Sequence, residues 1–369
     1  MGIIATRHDW LRELERLSPA IAALALRSKL PNDDYGEASE TPNPDALNLA
    51  SSAEHVKGMA DCFELLSGRG VGSQILEKFV TDLTSRNTYG TFSELSFYLW
   101  LLENQIPFNP QVAMTGADVL NPNGSDLDGR LTCHRGGGDV YFDVKGFRFR
   151  EYLIKTLGRR LSRNFPNRFV AIEGNWDSSI TDLSDLLGKG YKTLSADLKS
   201  HQRARRAGLQ FTLRVPAQIQ TTVNESDPYE LAEINASYAF TYAKQFVRRA
   251  PFVLVFVIHP WFSGGWLHTG VGNYVQDFKR AFARRTFLQF RKDATPVFDV
   301  TKGAAAGMLS AVGFFDAWRG IRDENKARVA LFLNPLATNP IAESTLDKLR
   351  RGYGGLHDID LVRFDHDVY

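Results

Sequence analysis

The chain has 369 residues, of which 43% are apolar and 23% charged, with a formal net charge of +2. These proportions fit a folded protein of one large or two ordinary domains, exclude a disordered chain, and by charge alone announce no nucleic-acid partner. Two cysteines, Cys62 and Cys133, exclude a disulfide framework and a four-cysteine zinc site.

Cysteine usage fits a reducing compartment. The longest apolar run, Phe252 to Ile258, has strand length and is too short to span a bilayer. A soluble, cytoplasmic protein without a membrane partner is therefore expected.

From the N-terminus, Trp10, Leu11, Leu14, Leu17, Ile21 and Leu24 recur at helical spacing, predicting a helix over 8–30. Residues 31–50, rich in Pro, Asp and Asn, read as a loop. Helices over 52–67 and 73–86 flank Gly68-Arg69-Gly70-Val71-Gly72-Ser73, which lacks the Lys-Ser/Thr ending of a phosphate-binding loop. Residues 91–106 are apolar almost all round, as in a buried core helix, and Pro107 and Pro110 end them.

Strands over 125–134 and 139–147 flank Arg135-Gly136-Gly137-Gly138, a hairpin signal. A basic helix over 149–163 follows, then a strand over 168–173 and one or two helices over 179–206. A strand over 209–223 is interrupted by Pro216. A helix over 227–248 leads into the strand 252–258. Further on, a helix near 273–291, a strand near 328–333 and a helix near 342–351 are predicted. The alternation predicts an α/β fold, with a mixed central β-sheet flanked by helices. We divide it into a helical N-terminal region (1–90), a core (91–260) and a C-terminal mixed region (261–369).

Asp143-Val144-Lys145 carries the chemistry. Side chains alternate along a strand, so Asp143 and Lys145 share a face. A turn centred on Gly136 and Gly137 sets Asp143 opposite Arg130 and Lys145 opposite Asp128, bringing Asp128, Asp143 and Lys145 together. Two carboxylates can hold Mg²⁺ or Mn²⁺, and a lysine can orient the attacking water or stabilise the charged transition state of phosphodiester hydrolysis.

This arrangement resembles the PD-(D/E)xK nuclease superfamily, in which an acid on one strand precedes acid-x-Lys on the next and a core helix often adds a Glu. The similarity covers roughly residues 90–260. It implies a restriction-endonuclease-like fold and Mg²⁺-dependent hydrolysis of DNA, in restriction, phage defence or DNA repair. The first acid would be Asp128 or Asp126. The proline that usually precedes it is absent from both positions, which hold Leu127 and Ser125, so the choice stays open. The helix Glu would be Glu94, although Thr91-x-x-Glu94 also reads as a capping box.

Basic residues gather after the motif. Arg148, Arg150, Lys155, Arg159 and Arg160 would line the groove beside the metal, with Gln218 near the scissile phosphate. A second cluster holds Lys199, His201, Arg203, Arg205 and Arg206. In a third, Lys279, Arg280, Arg284, Arg285, Arg291 and Lys292 interleave with phenylalanines. Cys133-His134 and Asp365-His366-Asp367 are weaker metal pairs, better read as packing and solvated chain end. The alternative function is a non-catalytic nucleic-acid-binding subunit of a larger complex on the same fold. DNA versus RNA, a homodimer and partner subunits are left open by these motifs.

Overall fold

The computed structural model describes residues 5–36, 43–85, 87–132, 138–147, 150–174, 179–214, 227–259, 274–317, 328–351 and 359–364. At the N-terminus, α1 (Arg7–Leu17) is opened by a Thr6–Asp9 capping box. Ser18 ends it and, with Pro19, starts α2 (Pro19–Ala22), so the helix expected over 8–30 breaks there. α3 (Pro44–Ala50) lies where a loop was expected. Asn43 accepts from the Ala46 N–H, and Pro44 occupies the first helical position, a pairing that specifies a helix start. α4 (Ala53–Gly68), α5 (Ser73–Leu83) and α6 (Thr88–Glu103) follow. Because α6 begins at Thr88, Thr91 lies inside the helix and the capping box expected with Glu94 does not form.

The remaining elements are, in chain order, β1 (Phe108–Met114), β2 (Ser125–Leu131), β3 (Val140–Gly146), α7 (Arg150–Asn164), β4 (Phe169–Gly174), α8 (Ile180–Leu187), α9 (Tyr191–His201), β5 (Arg203–Arg206), β6 (Leu209–Arg214), α10 (Pro228–Asn235), a 3-10 segment (Tyr238–Gln245), β7 (Phe252–Ile258), α11 (Tyr274–Leu288), β8 (Pro296–Val297), β9 (Val300–Thr301), α12 (Lys302–Met308), β10 (Ala311–Asp316), β11 (Val329–Leu333), α13 (Glu343–Arg351) and β12 (Ile359–Val362).

Seven strands form a mixed sheet in the order β1-β2-β3-β7-β10-β11-β12. β1, β2 and β3 are antiparallel, and β3, β7 and β10 are parallel. β11 runs antiparallel to β10 and parallel to β12. Pro110 is tolerated because β1 is an edge strand.

On one face, Phe142, Val144, Val253 and Val255 pack with α4, α5 and the nearly all-buried α6. On the other, Leu254, Phe256 and Phe314 pack with Phe278 and Phe282 of α11. With both faces covered and a neighbour on each edge, all seven residues of β7 are buried, which explains its unbroken apolar sequence. The sheet runs across the division expected at residue 260, since β10, β11 and β12 all come from beyond it.

Between β3 and β7 the chain builds a second, antiparallel sheet in the order β4-β6-β5. The helix expected to reach residue 206 stops at His201. Gln202 is left-handed at φ 57°, and Ala207 (φ 49°) with Gly208 (φ 73°) makes the tight turn joining β5 to β6. Among the described residues, no helix is long and apolar enough to cross a membrane.

Candidate active site

The hairpin of β2 and β3 pairs Gly129 with Phe142, Arg130 with Tyr141 and Leu131 with Val140. This register is two residues from the expected one. A shift of two preserves which face each side chain occupies, so Asp128 and Asp143 still converge, now level with each other. Packing selects the register: a Cβ at Gly129 would lie 2.4 Å from the Phe142 ring.

Pairing stops at Gly129. In place of the next ladder bond, Asp128 Oδ2 accepts the Val144 N–H at 2.7 Å. On its other side β2 also loses a partner, because Gln111 of β1 sits at φ 51° between two paired positions. Leu131 and Leu127, an even number apart, accordingly pack into opposite cores. The strand turns over at Asp128, as at a bulge. That turn separates the two candidate acids. Asp126 is exposed and makes no side-chain hydrogen bond or ion pair among the described residues, whereas Asp128 joins Asp143.

Asp143 is fully buried. Its Oδ1 accepts from Gln245 Nε2 at 3.0 Å, and its Oδ2 lies 2.7 Å from the Lys145 ammonium, with no hydrogen-bond donor besides it among the described residues. The ammonium lies 3.9 Å from Asp128 Oδ2 and 5.5 Å from the centre of the Tyr242 ring. Glu94 approaches from α6. Its Oε1 is 2.6 Å from the Tyr98 hydroxyl and 2.7 Å from Gln111 Nε2, and the same hydroxyl contacts the Asp128 carbonyl oxygen.

Burial, then Asp128 and Asp143, push Glu94 well above the usual carboxylate range, against the pull of Tyr98 and Lys145. One hydroxyl proton cannot serve two acceptors. A protonated Glu94 that donates to Tyr98, which in turn donates to the Asp128 carbonyl, satisfies both contacts. Asp143 is likewise raised by burial and then by Asp128, with Lys145 opposing. Burial alone would lower Lys145, but Asp143 and Asp128 outweigh it, so the ammonium stays charged.

With Glu94 protonated, Asp128 and Asp143 still face a single lysine, a net negative charge that a divalent cation would relieve. Among the described residues, no three His, Cys, Asp or Glu side chains are gathered closely enough to hold an ion by themselves. Mg²⁺ rarely uses such a cage. It takes one or two carboxylates and completes its shell with water and substrate oxygens. Asp128 and Asp143 fit that pattern. The donor set is all oxygen, and Gln245 Oε1 is a further buried oxygen without a hydrogen-bond partner among the described residues.

Gln245, Tyr98, Gln111 and Tyr242 had no place in the sequence-based site. No local signal marked them; Gln245 lies in a mixed stretch, Ala243-Lys244-Gln245-Phe246-Val247-Arg248-Arg249, where a polar residue does not stand out.

The basic groove is placed only in part. Arg159 is exposed. Arg160 stacks on Tyr191 at 3.6 Å and donates to the Leu187 carbonyl, pinning α7 to α8 and α9. Arg148, Gln218, Cys133-His134 and Asp365-His366-Asp367 lie outside the described residues, as do the side chains of Arg150 and Lys155. In the third basic cluster, Phe278, Phe282 and Phe287 belong to the core. The chain matches no family profile, no curated protein and no solved structure.

Proposed function

We propose that the chain is a metal-dependent nuclease hydrolysing DNA phosphodiester bonds. The carrying observation is the convergence of Asp128 and Asp143 on Lys145, with Asp128 Oδ2 taking the Val144 N–H where β2 breaks. Asp128 and Asp143 would hold Mg²⁺ or Mn²⁺. A bound ion supplies Lewis-acid chemistry, polarising the phosphate and lowering the pKa of the attacking water.

The chain's own groups do the rest. Lys145, held cationic by its two carboxylate neighbours, is placed to orient that water or to stabilise charge as it develops on the phosphate. Gln245 fixes the Asp143 carboxylate, leaving its other oxygen toward the lysine. Tyr98 and Gln111 fix Glu94, which tunes the charge of the pair. A cytoplasmic setting in restriction, phage defence or repair follows from this reading, and the buried free thiol of Cys62 suits it.

Supercoiled plasmid tests the reading. Cutting should require Mg²⁺ or Mn²⁺, stop in EDTA, and fall at least ~100-fold in Asp143→Ala and Lys145→Ala with circular dichroism unchanged. No cutting of supercoiled plasmid or of single-stranded circular DNA by the unsubstituted protein with either metal would refute it. One observation favours a second reading, a non-catalytic binding subunit. Lys145 already bridges Asp128 and Asp143, as a purely structural ion pair would. Plasmid bound but left intact, with no Mg²⁺ uptake by calorimetry, would support that reading.

A further inference from the structure

The second sheet has two unlike faces. Val170, Ile172, Leu209, Phe211, Leu213 and Ala204 point into the core. The register fixes the other face as a grid: Phe169 beside Arg214, then Ala171, Thr212 and Arg203, then Glu173, Gln210 and Arg205. Arg203, Arg205, Gln210, Arg214 and Glu173 are exposed, and Phe169 is 44% exposed. Glu173 is neutralised by Arg214 at 2.5 Å. Arg203 and Arg205 make no side-chain hydrogen bond or ion pair among the described residues, unlike Arg206 on the opposite face, which binds Asp197.

Arg203 and Arg205, without a side-chain partner among the described residues, leave the edge strand two positions apart, with roughly 7 Å between their α-carbons. That is comparable to the spacing of successive phosphates along an extended polynucleotide. Between them and the exposed ring lie the two small side chains of Ala171 and Thr212, both buried, so the exposed groups of this face stand around its centre. The position of the sheet adds to this. The chain leaves the central sheet just after Lys145 to build it, and returns through the 3-10 segment whose Gln245 holds Asp143.

We infer that this face is a platform for single-stranded DNA, with Arg203 and Arg205 on successive phosphates and a base stacked on Phe169. The inference rests on the DNA-hydrolysing reading and names the form of DNA delivered. A flat three-stranded face with an outward ring engages unpaired bases, whereas a duplex hides its base faces and admits a helix or two-stranded ribbon into its groove.

Fluorescence anisotropy of the full-length protein in EDTA tests the platform without any turnover, so its outcome is independent of whether plasmid is cut. Labelled oligo(dT) should bind at least tenfold more tightly than a duplex of equal length. Arg203→Ala/Arg205→Ala should weaken oligo(dT) binding at least tenfold and lower the salt slope by about 1.4, two phosphates' worth. Phe169→Ala should weaken binding about tenfold with the slope unchanged, the signature of stacking. The charge reversal Arg205→Glu provides a second variant at an exposed position. Unchanged oligo(dT) affinity in the two arginine variants, or equal affinity for duplex, would overturn the proposal.

Discussion

Glu94 shows how one side chain carries opposing demands. Burial and the repulsion of Asp128 make its charged form costly, yet a cation site requires that charge. Glu94→Gln can still donate to Tyr98 and accept from Gln111, as the protonated acid does, and removes the cost. Without metal it should raise stability by about 1 kcal/mol, while metal-dependent cutting falls. The pH dependence has a definite sign. A carboxylate whose folded pKa lies above its unfolded value binds more protons when folded, so stability declines as pH rises from the unfolded pKa toward the folded one. Glu94 and Asp143 both act this way. Lys145, raised in the fold, gives its full contribution throughout that window and loses it only in alkali. Metal-free protein should therefore melt at a higher temperature near pH 5 than near pH 7, with a shallower dependence in Glu94→Gln. A melting temperature flat across that range would contradict the assignment.

At the scale of elements, the hairpin depends on the absence of a side chain at position 129. Gly129→Ala would drive a methyl group into the Phe142 ring and should cost about 1–3 kcal/mol in urea unfolding, partly recovered by Phe142→Leu. Strand periodicity placed Asp143 and Lys145 on one face, and the structure keeps them there. It could not distinguish Asp126 from Asp128, because a regular strand puts both on the same side. The turn-over of β2 depends on Gln111 in a strand, β1, to which the sequence-based reading assigned no element. Gln245 escaped for a different reason, reaching Asp143 across 102 residues, a pairing no local pattern encodes. β7 was legible as an unbroken apolar run of strand length, and α4 and α11 by apolar residues at helical spacing. β5 was not, since Arg-Ala-Arg-Arg has no apolar alternation and gains its strand from Leu209–Arg214 beside it.

At the scale of the molecule, the candidate site sits within a sheet whose two halves come from distant parts of the chain. β7 is covered on one edge by β3 and on the other by β10. A fragment ending at residue 260 would leave Phe252–Ile258 with a bare apolar edge, and should be molten or aggregated, with weak near-ultraviolet dichroism. A monomeric fragment with a sharp thermal transition would show that the later strands are dispensable. The parallel contact between β3 and β7 also has a consequence for biosynthesis. On a ribosome, the motif strand emerges long before the partner that completes it, and an intervening sheet must be made meanwhile. If the proposed function holds, the candidate carboxylates would stay without their full surroundings until β7 emerges, and DNA cutting by a nascent chain would be held off until then.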